Sequence, residues 1–300
     1  MSARSAYLHN DTTGAAPMAF TTILSADDLK GLLASATPPL LLDCSFELTQ
    51  PGKGREAYLA GHIPGARYVH LDDDLAAAPS GTNGRHPLPD AEALAQRLRV
   101  LGLSQGQQVI AYDASGGAWA ARAWWLLRWL GHEAVAVLDG GLPAWVEAGG
   151  ALEAGEAGPT IVGDFAPRAP LVGGTMEADE VLANIESRAA QVLDARDPSR
   201  FRGDPNPIDP VAGHIPGAKN RFFRDNLDAS GRFRPANALR SEFTALLGEA
   251  HAILQCGSGV TACHNALAME IAGLPGARLY PGSWSEWIAD PSRPVATGEV

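Results

Sequence analysis

Cysteine is scarce in this chain. Its 300 residues include three, Cys44, Cys256 and Cys263, too few for a disulfide framework, which points to a reducing, cytoplasmic compartment. Metal-ligand spacing is missing too: there is no Cys-x-x-Cys, no His-x-x-x-His and no clustered carboxylate set, so no metal is expected. No apolar run reaches the ~20 residues needed to cross a bilayer. The most apolar stretch, Ala118 to Leu130, is shorter, carries Arg122 and Arg128, and reads as a buried helix. Positive charge is in deficit, with 23 Lys and Arg against 34 Asp and Glu and a net charge of −11. That balance argues against a nucleic-acid partner, whose phosphates need clustered cations. Residues 1–20 lack the apolar core of a signal peptide and read as a disordered tail, with Met18 a candidate natural start.

What is present describes a soluble globular chain, 46% apolar and 19% charged, long enough for two domains. It repeats itself. Gly61-His62-Ile63-Pro64-Gly65-Ala66 recurs 152 positions later as Gly213-His214-Ile215-Pro216-Gly217-Ala218. Leu41-Leu42-Asp43 recurs as Val192-Leu193-Asp194, and Val109 to Asp113 aligns with Ala252 to Cys256. Leu138-Asp139-Gly140-Gly141 with Trp145 matches Tyr280-Pro281-Gly282-Ser283 with Trp287. Four marks in one order mean a duplicated domain: a 1–20 tail, domains at 21–150 and 171–300, and a 151–170 linker rich in Gly, Ala and Pro.

Short apolar runs at Leu40–Leu42, Val109–Tyr112 and Val135–Leu138 predict buried strands in the first copy. Val192–Leu193, Ala252–Leu254 and Arg278–Tyr280 predict their counterparts in the second. Amphipathic stretches at Asp90–Leu101 and Ala236–Leu247 lie between them. This alternation predicts an α/β fold: in each copy an open, mainly parallel sheet with helices on both faces, binding ligands beyond the carboxyl ends of its strands.

A motif shared by both copies is architecture. His62 and His214 are expected to tie their loops by hydrogen bonds, and Trp145 and Trp287 to anchor cores. The informative position is where the copies differ. Asp113-Ala114-Ser115-Gly116-Gly117 in the first copy faces Cys256-Gly257-Ser258-Gly259-Val260-Thr261-Ala262 in the second. Both segments run from a strand straight into a helix, so successive backbone N–H groups and the helix dipole converge on the loop. A cysteine there is expected to have a lowered pKa and to be a nucleophile; Asp113 can cap its helix but has no thiol chemistry. The alternative for Cys256 is a buried, inert thiol. A phosphatase reading would need an arginine six residues after the cysteine to grip phosphate, and that residue is Ala262. Cys263 falls inside the helix as packing, and Cys44, after a buried strand, is expected to approach the surface.

The Cys256–Ala262 loop, the twin Gly-His-Ile-Pro-Gly-Ala marks and Gly282-Ser283-Trp284-Ser285-Glu286-Trp287 resemble the two-domain rhodanese superfamily over nearly the whole chain beyond residue 20. Within it, the Cys-Gly-Ser-Gly loop is most similar to that of the members using 3-mercaptopyruvate; those using thiosulfate usually carry Arg-Lys after the cysteine. The resemblance implies transfer of sulfur to a thiol (thioredoxin or glutathione) or to cyanide, through a persulfide on Cys256, without metal or organic cofactor. It implies a proton relay of Ser258, His86 (in Arg85-His86-Pro87-Leu88-Pro89) and Asp72, and substrate binding by Arg200 and by Gly257, Gly259, Val260 and Thr261 of the loop. The chemistry agrees: a keto acid anion calls for a guanidinium, and expelling enolpyruvate calls for a proton.

One departure stands out. Such enzymes commonly carry a second substrate arginine shortly before the second Gly-His-Ile-Pro, where this chain reads Asp204-Pro205-Asn206-Pro207-Ile208-Asp209-Pro210. Either Arg202 substitutes, or 3-mercaptopyruvate binds more weakly. Two other readings stay open: a thiosulfate:cyanide sulfurtransferase, and a low-turnover sulfur carrier or binding module.

Overall fold

The expected strands form where the apolar runs lie, and each half of the chain builds its own parallel sheet. The structure, a computed structural model, describes residues 19–298. In the first half β1 (Ile23–Leu24), β2 (Leu40–Asp43), β3 (Arg67–Tyr68), β4 (Val109–Tyr112) and β5 (Val135–Leu138) pair in the order β1-β5-β4-β2-β3. In the second, β6 (Ala190–Asp194), β7 (Lys219–Asn220), β8 (His251–Gln255) and β9 (Arg278–Leu279) pair in the order β7-β6-β8-β9. A parallel bridge from Thr175 to Leu279 stands where β1 lies against β5, so the two topologies coincide. Every residue of β2, β4 and β5 is buried, as expected of strands covered by helices on both faces.

The helices follow their local signals. Asp90 caps the helix Ala91–Val100 by accepting from the N–H groups of Glu92 and Ala93. The helix Ala120–Trp129 is buried from Ala120 through Leu127, and the helix Thr261–Ile271 is buried from Ala262 through Met269. These two pack against each other, and small residues such as Ala120, Ala123, Ala262 and Ala266 sit in the core they share. One hydrophobic core therefore runs through both halves, and it seats the loops that precede these helices on a common cleft.

The segment 151–170 has no helix, yet it is pinned to the first half. His62 and Glu153 exchange two backbone hydrogen bonds at 2.9 Å, Gly163 N–H donates to the Arg99 carbonyl, and Phe165 is buried. The tail assigned to residues 1–20, with Met18, lies outside the described residues apart from its last two positions. One of these, Phe20, is held rather than loose: its N–H and C=O both bond to the Gln108 side chain. Cys44 does not approach the surface; it is 1% exposed and sits in the core, because the chain after β2 continues inward before turning.

Candidate active site

Cys256 follows β8 directly and is buried at its carboxyl end. The Ser258 N–H points at its Sγ from 3.4 Å. Its own N–H donates to Ser283 Oγ at 3.1 Å, and that hydroxyl donates to the Tyr280 carbonyl at 2.8 Å. Ser283 adopts φ +51° to do so, a left-handed conformation that costs a non-glycine residue energy and is held by these two bonds. Gly259 has φ +77°, and a Cβ there would run into the Pro281 carbonyl, so the loop closes only with glycine. Val260 turns its side chain into the core and Thr261 begins the helix. Neither is seen to present its side chain to the sulfur.

The first domain completes the site. His86 Nδ1 lies 2.7 Å from Ser258 Oγ, and His86 Nε2 lies 3.1 Å from Asp72 Oδ1. A carboxylate only accepts, so Nε2 carries the proton and Nδ1 accepts from the serine hydroxyl. Burial, followed by the charges of Arg122 and Arg85, holds the His86 pKa down at about 4, which keeps the ring neutral near pH 7. Burial raises the Asp72 pKa against the opposing charge of His70. Arg122 is fully buried without a carboxylate; its guanidinium bonds the carbonyls of Leu75, His86 and Gly259. It thereby ties the His86 loop to the Cys256 loop across the cleft.

Arg200 projects from the short helix Pro198–Arg202 and grips Asp209 with Nε and Nη2, each at 2.8 Å. Arg196 lies 3.4 Å and Arg85 3.5 Å from the same carboxylate. Burial pushes the Asp209 pKa up, but hydrogen bonding and charge from Arg200, then Arg196 and Arg85, hold it below the usual carboxylate range. A Cβ on Gly257 would meet Arg85 Nη2 at 2.7 Å and Arg200 Nη2 at 2.9 Å. The residue after the cysteine is thus roofed by two guanidiniums, one from each half. Arg202, the suggested substitute cation, instead pairs with Asp204 at the exposed edge. Arg85, Ser283, Arg122 and Asp209 line the candidate site and were not singled out from the sequence; the local signals were that Arg85 adjoins His86, that Ser283 lies in the Gly282–Trp287 mark and that Arg122 interrupts an apolar run.

The equivalent loop in the first half is occupied by its own side chain. Asp113 accepts from the N–H groups of Ser115, Gly117, Trp119 and Ala120 at 2.7 to 2.9 Å. The carboxylate fills the anion cradle that the second half leaves to sulfur. His62 and His214 lie elsewhere and match each other: each stacks on an aromatic ring, Tyr58 or Phe201, and places Nδ1 2.8 Å from that residue's carbonyl. Trp145 and Trp287 are buried in the satellite cores. Among the described residues no group of three or more His, Cys, Asp or Glu is placed to hold a metal, and no helix is long and apolar enough to cross a membrane.

A buried thiol at a strand's carboxyl end, roofed by guanidiniums and flanked by a Ser–His–Asp chain, defines an enzyme of nucleophilic group transfer on a duplicated α/β frame. The chain belongs to the rhodanese-like family, matching the Rhodanese-like domain over residues 25–148 and again over 177–290, and is a two-domain sulfurtransferase. It is 49% identical over 289 residues, 94% of this chain and 100% of the other, to a Pseudomonas aeruginosa protein provisionally named a 3-mercaptopyruvate sulfurtransferase. It is 40% identical over 286 residues, 92% of this chain and 97% of the other, to a Mycobacterium tuberculosis protein provisionally named a thiosulfate sulfurtransferase. Among solved structures it resembles the 3-mercaptopyruvate sulfurtransferase SseA from Escherichia coli, with TM-score 0.76 and 31% identity over 88% of this chain and 99% of that one.

Proposed function

We propose that this protein takes sulfur from 3-mercaptopyruvate as a persulfide on Cys256 and passes it to a thiol, such as thioredoxin or glutathione, or to cyanide. The 171–300 half carries the nucleophile and Ser258, and the 21–150 half supplies His86 and Asp72 of the relay. The observation that carries the choice of donor is the closed chain Ser258–His86–Asp72 beside the sulfur. When the Cys256 thiolate attacks the donor sulfur, the S–S bond forms and the C–S electrons leave on enolpyruvate. The donor thiol loses one proton and the enolate gains one, so the reaction needs a route between two substrate atoms and no net acid. Neutral His86 takes that proton through the Ser258 hydroxyl and returns it the same way, while Asp72 stabilises the transient imidazolium. Thiosulfate expels sulfite without needing a proton, so the relay does nothing for it. The guanidiniums over Gly257 do suit a dianion as well, which keeps thiosulfate, named for the Mycobacterium tuberculosis relative, as the second reading. The three free, buried cysteines accord with a cytoplasmic location.

Intact-mass measurement after exposure to the donor tests the nucleophile. One sulfur, about 32 Da, should appear on Cys256 and be absent in Cys256→Ser; its appearance on Cys44 or Cys263 would overturn the assignment. Steady-state kcat/KM with both donors, side by side, should favour 3-mercaptopyruvate, and failure to turn over with either would leave a sulfur carrier.

A further inference from the structure

We propose that Arg85, from the half of the molecule without the nucleophile, is the second guanidinium that binds the donor's carboxylate. The proposal rests on 3-mercaptopyruvate being the donor.

The segment just before the second Gly-His-Ile-Pro mark holds no cation from Asp204 to Pro210. Arg85 reaches that segment from the other domain: its Nη1 lies 3.4 Å from the Ile208 carbonyl and 3.5 Å from Asp209 Oδ1. Its Nη2 lies over Gly257, 2.7 Å from the point where a Cβ would stand, and Arg200 Nη2 lies 2.9 Å from the same point. Two guanidiniums aimed at one point beside the nucleophile form a clamp for a planar anion.

The bonding of Arg85 is incomplete in the way such a role requires. Its two Nη1 contacts are both long, and its Nε is buried with no partner. A buried guanidinium N–H without an acceptor carries a desolvation cost that an incoming carboxylate would relieve. Burial lowers the pKa of Arg85, with Asp209 opposing, as expected of a cation short of partners. Arg200 differs, since Asp209 already holds it side-on. Asp209 therefore orients Arg200 firmly and Arg85 loosely, leaving Arg85 free to turn onto a ligand.

The backbone explains why Arg85 can hold this place. Gly84 has φ +84° and packs on the Gly282 carbonyl, and the Arg85 N–H donates to Ser285 Oγ at 3.0 Å. The turn is thus fastened to the segment that carries Ser283, the acceptor for the Cys256 N–H. Residues 84–86 form one graft from the first domain that delivers a cation and a base, Arg85 and His86, to opposite ends of the same small substrate. The glycine after the cysteine belongs to this arrangement, because a side chain there would displace both guanidinium tips.

The test compares two donors that differ only in the group Arg85 is said to bind: 3-mercaptopyruvate and 1-mercapto-2-propanone, which has a methyl in place of the carboxylate. Arg85→Ala should lower kcat/KM for 3-mercaptopyruvate about tenfold to a hundredfold, mostly through KM. Any loss it causes in kcat/KM for the methyl analogue should be at least about fivefold smaller than the loss for 3-mercaptopyruvate. Arg85→Lys, which keeps the charge and loses the fork, should fall between wild type and Arg85→Ala, and it serves if the alanine variant folds poorly. Equal losses on both donors would make Arg85 a structural tie between domains and overturn the proposal, as would an unchanged KM for 3-mercaptopyruvate. A wild-type enzyme inactive with 3-mercaptopyruvate but active with thiosulfate would overturn the donor assignment instead, so the two failures are distinguishable.

Discussion

Removing one oxygen atom at Ser258 separates the relay from everything else in the site. Ser258 is 6% exposed, and its Oγ makes the 2.7 Å bond to His86 Nδ1. In Ser258→Ala the loop backbone and its N–H toward Cys256 Sγ remain, so the thiol keeps that contact. His86 loses its only side-chain contact toward sulfur, and a buried ring nitrogen is left without a donor, at a cost of ~1–3 kcal/mol in stability. Proton transfer by a positioned group is worth ~10²–10⁴ in rate. Water can replace part of it in an open cleft, so single-turnover persulfide formation from 3-mercaptopyruvate should slow by about 10²–10³. The same step from thiosulfate, whose leaving group takes no proton, should change by less than about threefold, or ~0.7 kcal/mol. Stopped-flow loss of thiolate absorbance, checked by intact mass, reads both. Comparable slowing with both donors would refute the relay and reduce Ser258 to a loop-shaping residue.

The pH dependence follows from His86. Its pKa lies at about 4 rather than 6.5, and the neutral ring is the working form. The ratio of wild-type to Ser258→Ala rates with 3-mercaptopyruvate, in which the nucleophile's own pH dependence cancels, should therefore hold level as pH falls from 7 to about 5, and drop as pH passes through about 4. A fall of that ratio centred near 6.5 would contradict a buried, neutral histidine. In the first domain, Asp113→Ala would strand four backbone donors that the carboxylate now satisfies. Urea denaturation should show a loss of about 3–5 kcal/mol, and a loss below about 1 kcal/mol would mean that the cradle needs no anion to fold.

The amino-acid sequence by itself determined the repeated frame and singled out the proposed nucleophile. β4 and β5 match their apolar runs residue for residue, and β2, β6 and β8 extend theirs by one or more residues. The runs of three or four buried residues in these strands are too short for a buried helix, which is what the longer run at Ala120–Trp129 forms. The four edge strands β1, β3, β7 and β9 have two residues each, too few to impose a period; β9 falls within the expected run Arg278–Tyr280 and ends one residue short of it, and the other three had no apolar run to announce them. Cys256 stood out because duplication supplied an internal control: the same turn with Asp113 is a capped helix, and with a thiol it is the proposed reactive site. His86, Asp72 and Arg200 came through family resemblance; periodicity carries no sign of them.

Tertiary structure alone decided which cations lie over Gly257, beside Cys256. Arg202 and Arg85 are both unremarkable as residues, yet Arg202 turns out to Asp204 while Arg85 crosses to Gly257 from a loop more than a hundred positions away. Arg122 looked like an interruption in an apolar helix, and its purpose lies in carbonyls from three separate loops. Ser283 needed a positive φ that no serine favours, a conformation imposed by the bonds around it. Local sequence encodes which face of an element is buried. It does not encode which element from the other domain will arrive there, because that depends on how the two halves close one shared core along the helices Ala120–Trp129 and Thr261–Ile271.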